Sequence, residues 1–264
     1  MSALLTVGVQ GIALLGPGLT DWEQAAPLLR QPARWQPQPT IVPAPELLPA
    51  TERRRAGTVV KASVVVAEAA AAAAGIAPTA LATVFTSSTG DPANCHAMCQ
   101  ALATPERVIS PTRFTNSVHN VAAGTWHIAT HAMTASTSLG AFDASFAAGL
   151  LEAAAQCVCA SAPILLVACD VPYPEPLHAV RPLPDSFAVA LVLVPEGGRR
   201  LTLRLAGAAG ATHCAHPPLE ALRTAIPAAR ALPLLQALAA APAAALVIEG
   251  LPQQALAVDV HAQG

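Results

Sequence analysis

The stretch from Leu139 to Cys159, LGAFDASFAAGLLEAAAQCVC, leaves the chain few ways to fold. Leu139, Phe142, Phe146, Leu150, Ala154 and Cys157 recur at steps of three or four, the spacing of one helix face. The opposite face is small rather than polar: Ala, Ser and Gly, with Asp143 and Glu152 as its only acids. A helix that is apolar or small all round is buried all round, so it needs a layer on each side. Asp143, near the start, suits the positive end of such a helix.

The layers can be read along the chain. LLTVGVQGIALL is a first strand, closed by Gly16-Pro17-Gly18; its glycines lack the dinucleotide-binding spacing. Residues 20–50 hold many prolines, which argues against a long regular element. A helix is expected from about Glu52 to Ala74, with Val59, Val60, Val64 and Ala67 on its apolar side and Gly75 and Pro78 as stops. LATVFTSSTG is a buried strand ending in a turn. A short helix is expected over 93–103, and another starting between Ser117 and Asn120. HAMTAST reads as a strand leading into the buried helix. PILLVACDVP and FAVALVLVPE are strongly apolar strands, and RLTLRLAGAAG is a more polar edge strand. The tail from Pro217 is Ala/Pro-rich helix with ALVIEG and ALAVDV as candidate strands. Alternating strands and helices give an α/β class.

With 264 residues, the chain can hold one large domain or two small ones. Hydrophobic residues make up 53% but charged ones only 11%, which is sparse for a free-standing surface and points to a face covered by a partner. A net charge of −2 excludes a nucleic-acid footprint, and Glu52-Arg53-Arg54-Arg55 reads as a solvated helix start. The apolar N-terminus has no basic leader and is broken early by Gly and Pro, so the expected location is the cytoplasm. The six cysteines are then reduced thiols, read as small core residues. Neither CHAMC nor HCAH has a recognised zinc spacing, so no metal is expected.

ISPTRFTNSVHNVAAGTWHIATHAMTASTSLGAFDASF resembles the central block of β-ketoacyl synthases, with its Ile-Ser-Pro turn, Asn-x-x-Ala-Gly helix, strand, nucleophile elbow Thr-Ala-Cys-x-x-Ser and buried helix. ERRRAGTVVKASVVVAEAA resembles the helix upstream, and FAVALVLVPE a later strand. The wording NSVHNVAAG in a short chain is most similar to the ketosynthase-like chain length factors of aryl polyene pathways. The resemblance implies a thiolase-like (ketosynthase) α/β fold, mainly its N-terminal half, over residues 1–205. Residues 206–264 would be an Ala/Pro-rich C-terminal extension packed on the same domain.

The resemblance also implies roles for single residues. Laying the elbow's final serine on Ser138 puts its cysteine on Ala135, and a methyl group is no nucleophile. A shift of one puts Ser136 there, as a helix cap or as a serine nucleophile with His119, His127 or His131 as base. The family's two catalytic histidines lie on a second half for which the chain has no room. His178, His213, His216 and His261 sit in unlike, Pro/Ala-rich contexts. Without that half, either the tail or another subunit must cover the buried helix. The family pairs the strand before the elbow across a dimer axis, which makes Trp126, His131, Met133 and Thr134 interface candidates. Tunnel candidates are Met98, Leu102 and Phe114. His119 and Asn120 are expected to hold a loop–helix junction through local hydrogen bonds, and Asp170 to form a turn. The implied function is a non-catalytic subunit, without cofactor, that pairs with an active ketosynthase acting on an acyl carrier protein. A serine-dependent acyl transferase or hydrolase using Ser136, and a purely structural stabiliser, are the alternatives.

Overall fold

The computed structural model describes residues 4–207 and 209–262. The two chain ends (1–3 and 263–264) and Ala208, at the end of the expected edge strand, lie outside the described residues.

PILLVACD and FAVALVLV are near-continuous apolar runs, which only a strand covered on both faces accommodates. They form β4 (Ile164–Asp170) and β5 (Phe187–Val194), buried from end to end, at the middle of one eight-stranded sheet. The other strands are β1 (Leu5–Leu15), β2 (Ala82–Thr86), β3 (Ser136–Leu139), β6 (Arg199–Ala206), β7 (Ala244–Glu249) and β8 (Ala255–Val260). The order is β3-β2-β4-β5-β1-β6-β8-β7. Strand β2 runs parallel to β3 and β4; every pairing from β4 through β5, β1, β6 and β8 to β7 is antiparallel.

Ten helices complete the described chain: α1 (Trp22–Arg30), α2 (Ala50–Arg55), α3 (Thr58–Ala74), α4 (Pro92–Leu102), α5 (Pro111–Thr115), α6 (Val121–Thr130), α7 (Ser145–Ala160), α8 (Leu177–Val180), α9 (Pro217–Ala225) and α10 (Leu232–Ala239). The period of two along β4 sorts its side chains between two cores. Ile164, Leu166 and Ala168 join the core with α7; Leu165, Val167 and Cys169 join the core with α3 and α6. Alanines let α3 lie close to β1. A Cβ on Gly11 would stand 2.2 Å from the Ala70 carbonyl oxygen, so only glycine fits that crossing.

Three expected elements move. The helix expected over 52–74 is two helices, interrupted at Ala56-Gly57, and the second ends on Gly75 in the left-handed conformation. The proline-rich stretch does hold a helix, α1, despite Pro27. The Asp21 carboxylate accepts from the Gln24 N–H at 2.8 Å as an N-cap, and Ala25 and Leu29 bury one face. The strand expected at 131–137 begins five residues later. His131 takes the left-handed position that ends α6, and the Thr134 hydroxyl donates to the Leu81 carbonyl, which holds 132–135 as a connection.

The tail supplies cover for the buried helix. Ile226, Ala228, Ala229, Leu232, Leu234 and Leu235 share a core with Phe146, Leu150, Ala153, Ala154 and Cys157 of α7, while β8 and β7 extend the sheet beyond β6. A fully buried leucine such as Leu150 contributes about 1.5–3 kcal/mol. No helix among the described residues is long and apolar enough to cross a membrane. Cys157, Cys169 and Cys214 are core residues as expected, but Cys95, Cys99 and Cys159 are exposed. Among the described residues no group of three or more His, Cys, Asp and Glu side chains converges.

Candidate functional site

The parallel strands β2, β3 and β4 all end on the same side of the sheet, and the turn from β3 into α7 crosses their ends. The backbone runs from Leu139 through Gly140 and Ala141 into a single 3-10 turn, Phe142–Ala144. Phe142 has φ +53°, a conformation that costs a non-glycine residue about 1–3 kcal/mol and persists only where the surroundings impose it. Ser145 imposes it. Its Oγ accepts from the Ala141 N–H at 3.0 Å and lies 2.7 Å from the Phe142 carbonyl and 3.2 Å from that of Ser87. The Thr86 hydroxyl donates to the Ser145 carbonyl at 2.9 Å, binding the turn to β2.

This turn corrects the expected register. Ala135 lies before β3, away from any helix start. With the motif Thr-Ala-Cys-x-x-Ser laid on Gly140–Ser145, its alanine falls on Ala141, its serine on Ser145 and its cysteine on Phe142. That second match is in the sequence. It was hidden because Leu139 and Phe142 continue the three-and-four spacing of α7 by one turn that is not helix.

The Phe142 ring is 62% exposed, and the Arg181 guanidinium carbon sits 3.5 Å from its centroid. Arg181 also donates to Asp143 Oδ1 at 2.6 Å, and Arg230 approaches Asp143 Oδ2 at 3.2 Å. Asp143 is therefore held between the loop after β4 and the tail. The chain of charges continues through Glu249, which meets Arg230 at 2.9 Å and Arg223 at 3.2 Å, to Glu220. Bonds from Arg223, and then from His213 and the Cys214 N–H, hold the Glu220 carboxyl down at about 2.

Asp170, at the end of β4, is more than a turn former. Its buried carboxylate accepts from the N–H and hydroxyl of Ser88, both at 2.7 Å, and from the Ala228 N–H at 2.9 Å. It thus ties the end of β2 to the tail. Burial pushes its acid range upward against those hydrogen bonds.

The other expected residues scatter. Trp126 is fully buried in the core with α3, so it cannot be an interface residue of this surface. Met133 is 96% exposed and His131 exposed, whereas Thr134 is half-buried and spends its hydroxyl on Leu81. Met98 is half-buried, Leu102 is 49% exposed and Phe114 66% exposed, all outside either core. His119 stands beside the turn, its Nε2 3.2 Å from where a Cβ on Gly140 would lie. Neither His119 nor Asn120 makes a side-chain hydrogen bond, so the expected local bonds are absent there, and Asn120 occupies the N-cap place of α6 without capping it. Of the three histidines considered for Ser136, the structure brings His127 near. Its Nε2 lies 2.9 Å from Thr83 Oγ1, which lies 2.8 Å from Ser136 Oγ, and its Nδ1 is 3.2 Å from the Ala132 carbonyl oxygen.

The two sheet edges differ. Beyond β7, Thr212 donates its N–H to the Val247 carbonyl and accepts the Val247 N–H on its hydroxyl, both at 2.9 Å, which blunts that edge. Among the described residues strand β3 pairs with β2 alone, and its outer edge carries no strand.

The chain is similar in fold to chains of solved ketosynthase structures. A chain of the structure described as "Ketosynthase (ApeO) in Complex with its Chain Length Factor (ApeC) from Xenorhabdus doucetiae" matches with a TM-score of 0.74 and 24% identity, over 97% of this chain and 99% of that one. A chain of "The ishigamide ketosynthase/chain length factor" matches at 0.70 and 12%, over 98% and 100%. A chain of "AntDE:AntF (apo): type II PKS acyl-carrier protein in complex with its ketosynthase bound to the hexaketide" matches at 0.78 and 11%, over 99% and 100%. No curated protein sequence gives a match. The family described as beta-ketoacyl synthase, N-terminal domain, matches residues 22–251, a span that runs past residue 205 through β7. Its span takes in the strained turn, the helix that turn begins and the tail that covers it, and the chain belongs to the beta-ketoacyl synthase N-terminal domain family.

Proposed function

We propose that this chain is a non-condensing partner of an active β-ketoacyl-ACP synthase, a chain length factor that helps wall the acyl tunnel and limits product length in aryl polyene or related polyketide-type elongation in the cytoplasm. The observation that carries the reading is Phe142. The strand-to-helix turn is kept in its strained form, yet the residue on it is a phenyl ring stacked under Arg181. A phenyl ring neither attacks a thioester nor carries an acyl group. The fold of the family is retained without its nucleophile, which leaves assembly and tunnel shape as the work of the chain. The open edge of β3, with Met133 and the 78% exposed Ile128 nearby in sequence, supports pairing with the ketosynthase there. An acyl carrier protein would deliver the chain to the pair.

The test is co-expression with candidate ketosynthases followed by size-exclusion and turnover on malonyl- and acyl-carrier protein. The pair elongates, and the purified chain alone does not. Condensation by the chain alone overturns the reading, as does failure to associate with any ketosynthase tried.

One observation favours a serine acyl transferase instead: His127 stands one hydroxyl away from Ser136, that of Thr83, which donates to Ser136 Oγ. An acyl adduct on Ser136 in intact mass spectra after exposure to acyl thioesters would select it.

A further inference from the structure

CHAMC, residues 95–99, lacks a zinc spacing, yet four of its five side chains are of metal-ligating type. It lies within α4, whose N-cap is Asp91. On a helix, residues three and four apart are neighbours, with Cβ atoms about 5–6 Å apart. Met98 and Cys99 therefore flank Cys95, and three sulfurs share one helix face. Partial burial, and then the Cys99 thiol beside it, push the Cys95 acid range upward, as expected of two thiols that face each other. His96 stands about 100° around the helix from Cys95 and does not converge with the pair.

Asn94 places the third sulfur. It is buried, and its amide donates to the Arg113 carbonyl at 2.8 Å and meets the Met98 sulfur at 3.9 Å. The Met98 side chain is thus drawn back along the helix, over the turn that carries Cys95. Both thiols are exposed and no residue of α4 belongs to either core, so an ion can reach the sulfurs without opening the fold.

The spacing decides between two fates for the thiols. A disulfide needs Cβ atoms about 3.5–4.5 Å apart, closer than one helical turn brings them. An ion between the sulfurs spans the gap with two metal–thiolate bonds of about 2.3 Å each. The donors then decide which ion. Zinc completes a tetrahedron with four ligands, and among the described residues no carboxylate or imidazole converges with the two thiols. Thiolates with a thioether are a soft set, suited to copper(I). We infer that Cys95, Met98 and Cys99 form a three-sulfur site on α4 that takes one copper(I) ion. Binding forms two copper–thiolate bonds and one copper–thioether bond; the two thiol protons leave to solvent and no electron is transferred. The site belongs to the chain alone and stands whether or not the ketosynthase pairing does.

The test titrates the full chain, reduced and free of oxygen, with copper(I) against a copper(I) chelator. Native mass spectra show one ion per chain, and the ultraviolet thiolate-to-copper absorption saturates at that ratio. The loaded chain resists alkylation at Cys95 and Cys99, whereas Cys159, exposed near the end of α7, is alkylated as before. Zinc supplied in place of copper(I) leaves all three open to alkylation. Cys99→Ser weakens copper(I) binding by more than about a hundredfold and Met98→Leu by about tenfold, while Cys159→Ser leaves it unchanged. No bound ion, protection that does not separate Cys95 and Cys99 from Cys159, equal protection by zinc, or an affinity that either Cys99→Ser or Met98→Leu leaves unmoved overturns the inference. Protection is read on the unaltered chain, so the test decides even where a variant fails to fold.

Discussion

Replacing Asp170 with alanine tests whether the tail is pinned to the site by a single buried carboxylate. The change removes the acceptor of three hydrogen bonds, from the Ser88 N–H, the Ser88 hydroxyl and the Ala228 N–H. Hydrogen bonds to a charged group contribute about 1.5–3 kcal/mol each. Their sum overstates the loss, because burying the carboxylate itself costs several kcal/mol, as its upward-shifted acid range reflects. The Ser88 hydroxyl also keeps a partner, Tyr173 Oη at 3.1 Å. What nothing returns is the pair of backbone N–H groups of Ser88 and Ala228, each costing about 1–3 kcal/mol when left without an acceptor. The expected loss is therefore about 2–6 kcal/mol, a large share of the roughly 5–15 kcal/mol of a natural domain. Urea unfolding followed by tryptophan fluorescence measures it as a lowered midpoint at unchanged slope. Limited proteolysis should cut the tail near residues 226–231 more readily in the variant. A loss under about 1 kcal/mol would refute the reasoning, since it would mean that Ser88 and Ala228 find other acceptors and that Asp170 does not hold the tail.

Glu220 governs the acid limb. Its folded-state carboxyl, held at about 2 by Arg223, lies below its ordinary 4.5, so its stabilisation is complete above about pH 4.5 and is lost as the pH falls toward 2. Glu220→Gln should flatten that part of the stability-versus-pH curve, and an unchanged curve would count against the ion chain. In native protein a thiol reagent should label Cys95, Cys99 and Cys159 quickly, while Cys157 and Cys214, pushed up to about 11 by burial, and Cys169 react only after unfolding. Alanine at Met98, Leu102 or Phe114, which belong to neither core, should leave the melting temperature within a few degrees; a change in polyene length in the complex would then mark that residue as part of the tunnel. Met133→Asp should leave the chain's own stability within about 0.5 kcal/mol and yet dissociate the complex, read by size-exclusion.

The strands at the centre of the sheet were legible because β4 and β5 are apolar without interruption, a pattern that only two-sided burial produces. The edge was not. HAMTAST and STSL are both β-prone, and the choice between them is made by contacts far away in sequence: the Thr134 hydroxyl on Leu81 and the pairing of Thr83 through Thr86 with Ser136 through Leu139. Phe142 was invisible for a related reason. Spacing reports which positions share a helix face, but a single residue at φ +53° ends the helix without disturbing the spacing. Trp126 reads from its size as an interface or a core anchor, and α6 settles it as the latter by turning it inward against α3. Asp170 reads from the sequence as a turn former, because the partners that give it its larger role come from residues 88 and 228.

The tail bears on how the strained turn is held. The 3-10 turn Pro227–Ala231 of the tail packs on α7, Ile226, Leu232 and Leu235 share its core, and β8 continues the sheet beyond β6. That packing buries the Phe146, Leu150, Ala153, Ala154 and Cys157 face of α7 within one chain, while Ala148, Leu151, Glu152, Ala155 and Gln156 stay half-buried, so the expected burial all round is not reached. Arg230 and Ala228 then reach from the same tail to Asp143, within the strained turn, and to Asp170 at the end of β4. The turn is thus supported by tail groups that fix its shape, a carbonyl clamp from Ser145 and an arginine over the ring. Keeping about 1–3 kcal/mol of strain at Phe142 makes sense if the shape of the turn is used. It fixes the start of α7 and the direction of β3, the strand that among the described residues pairs on one side only.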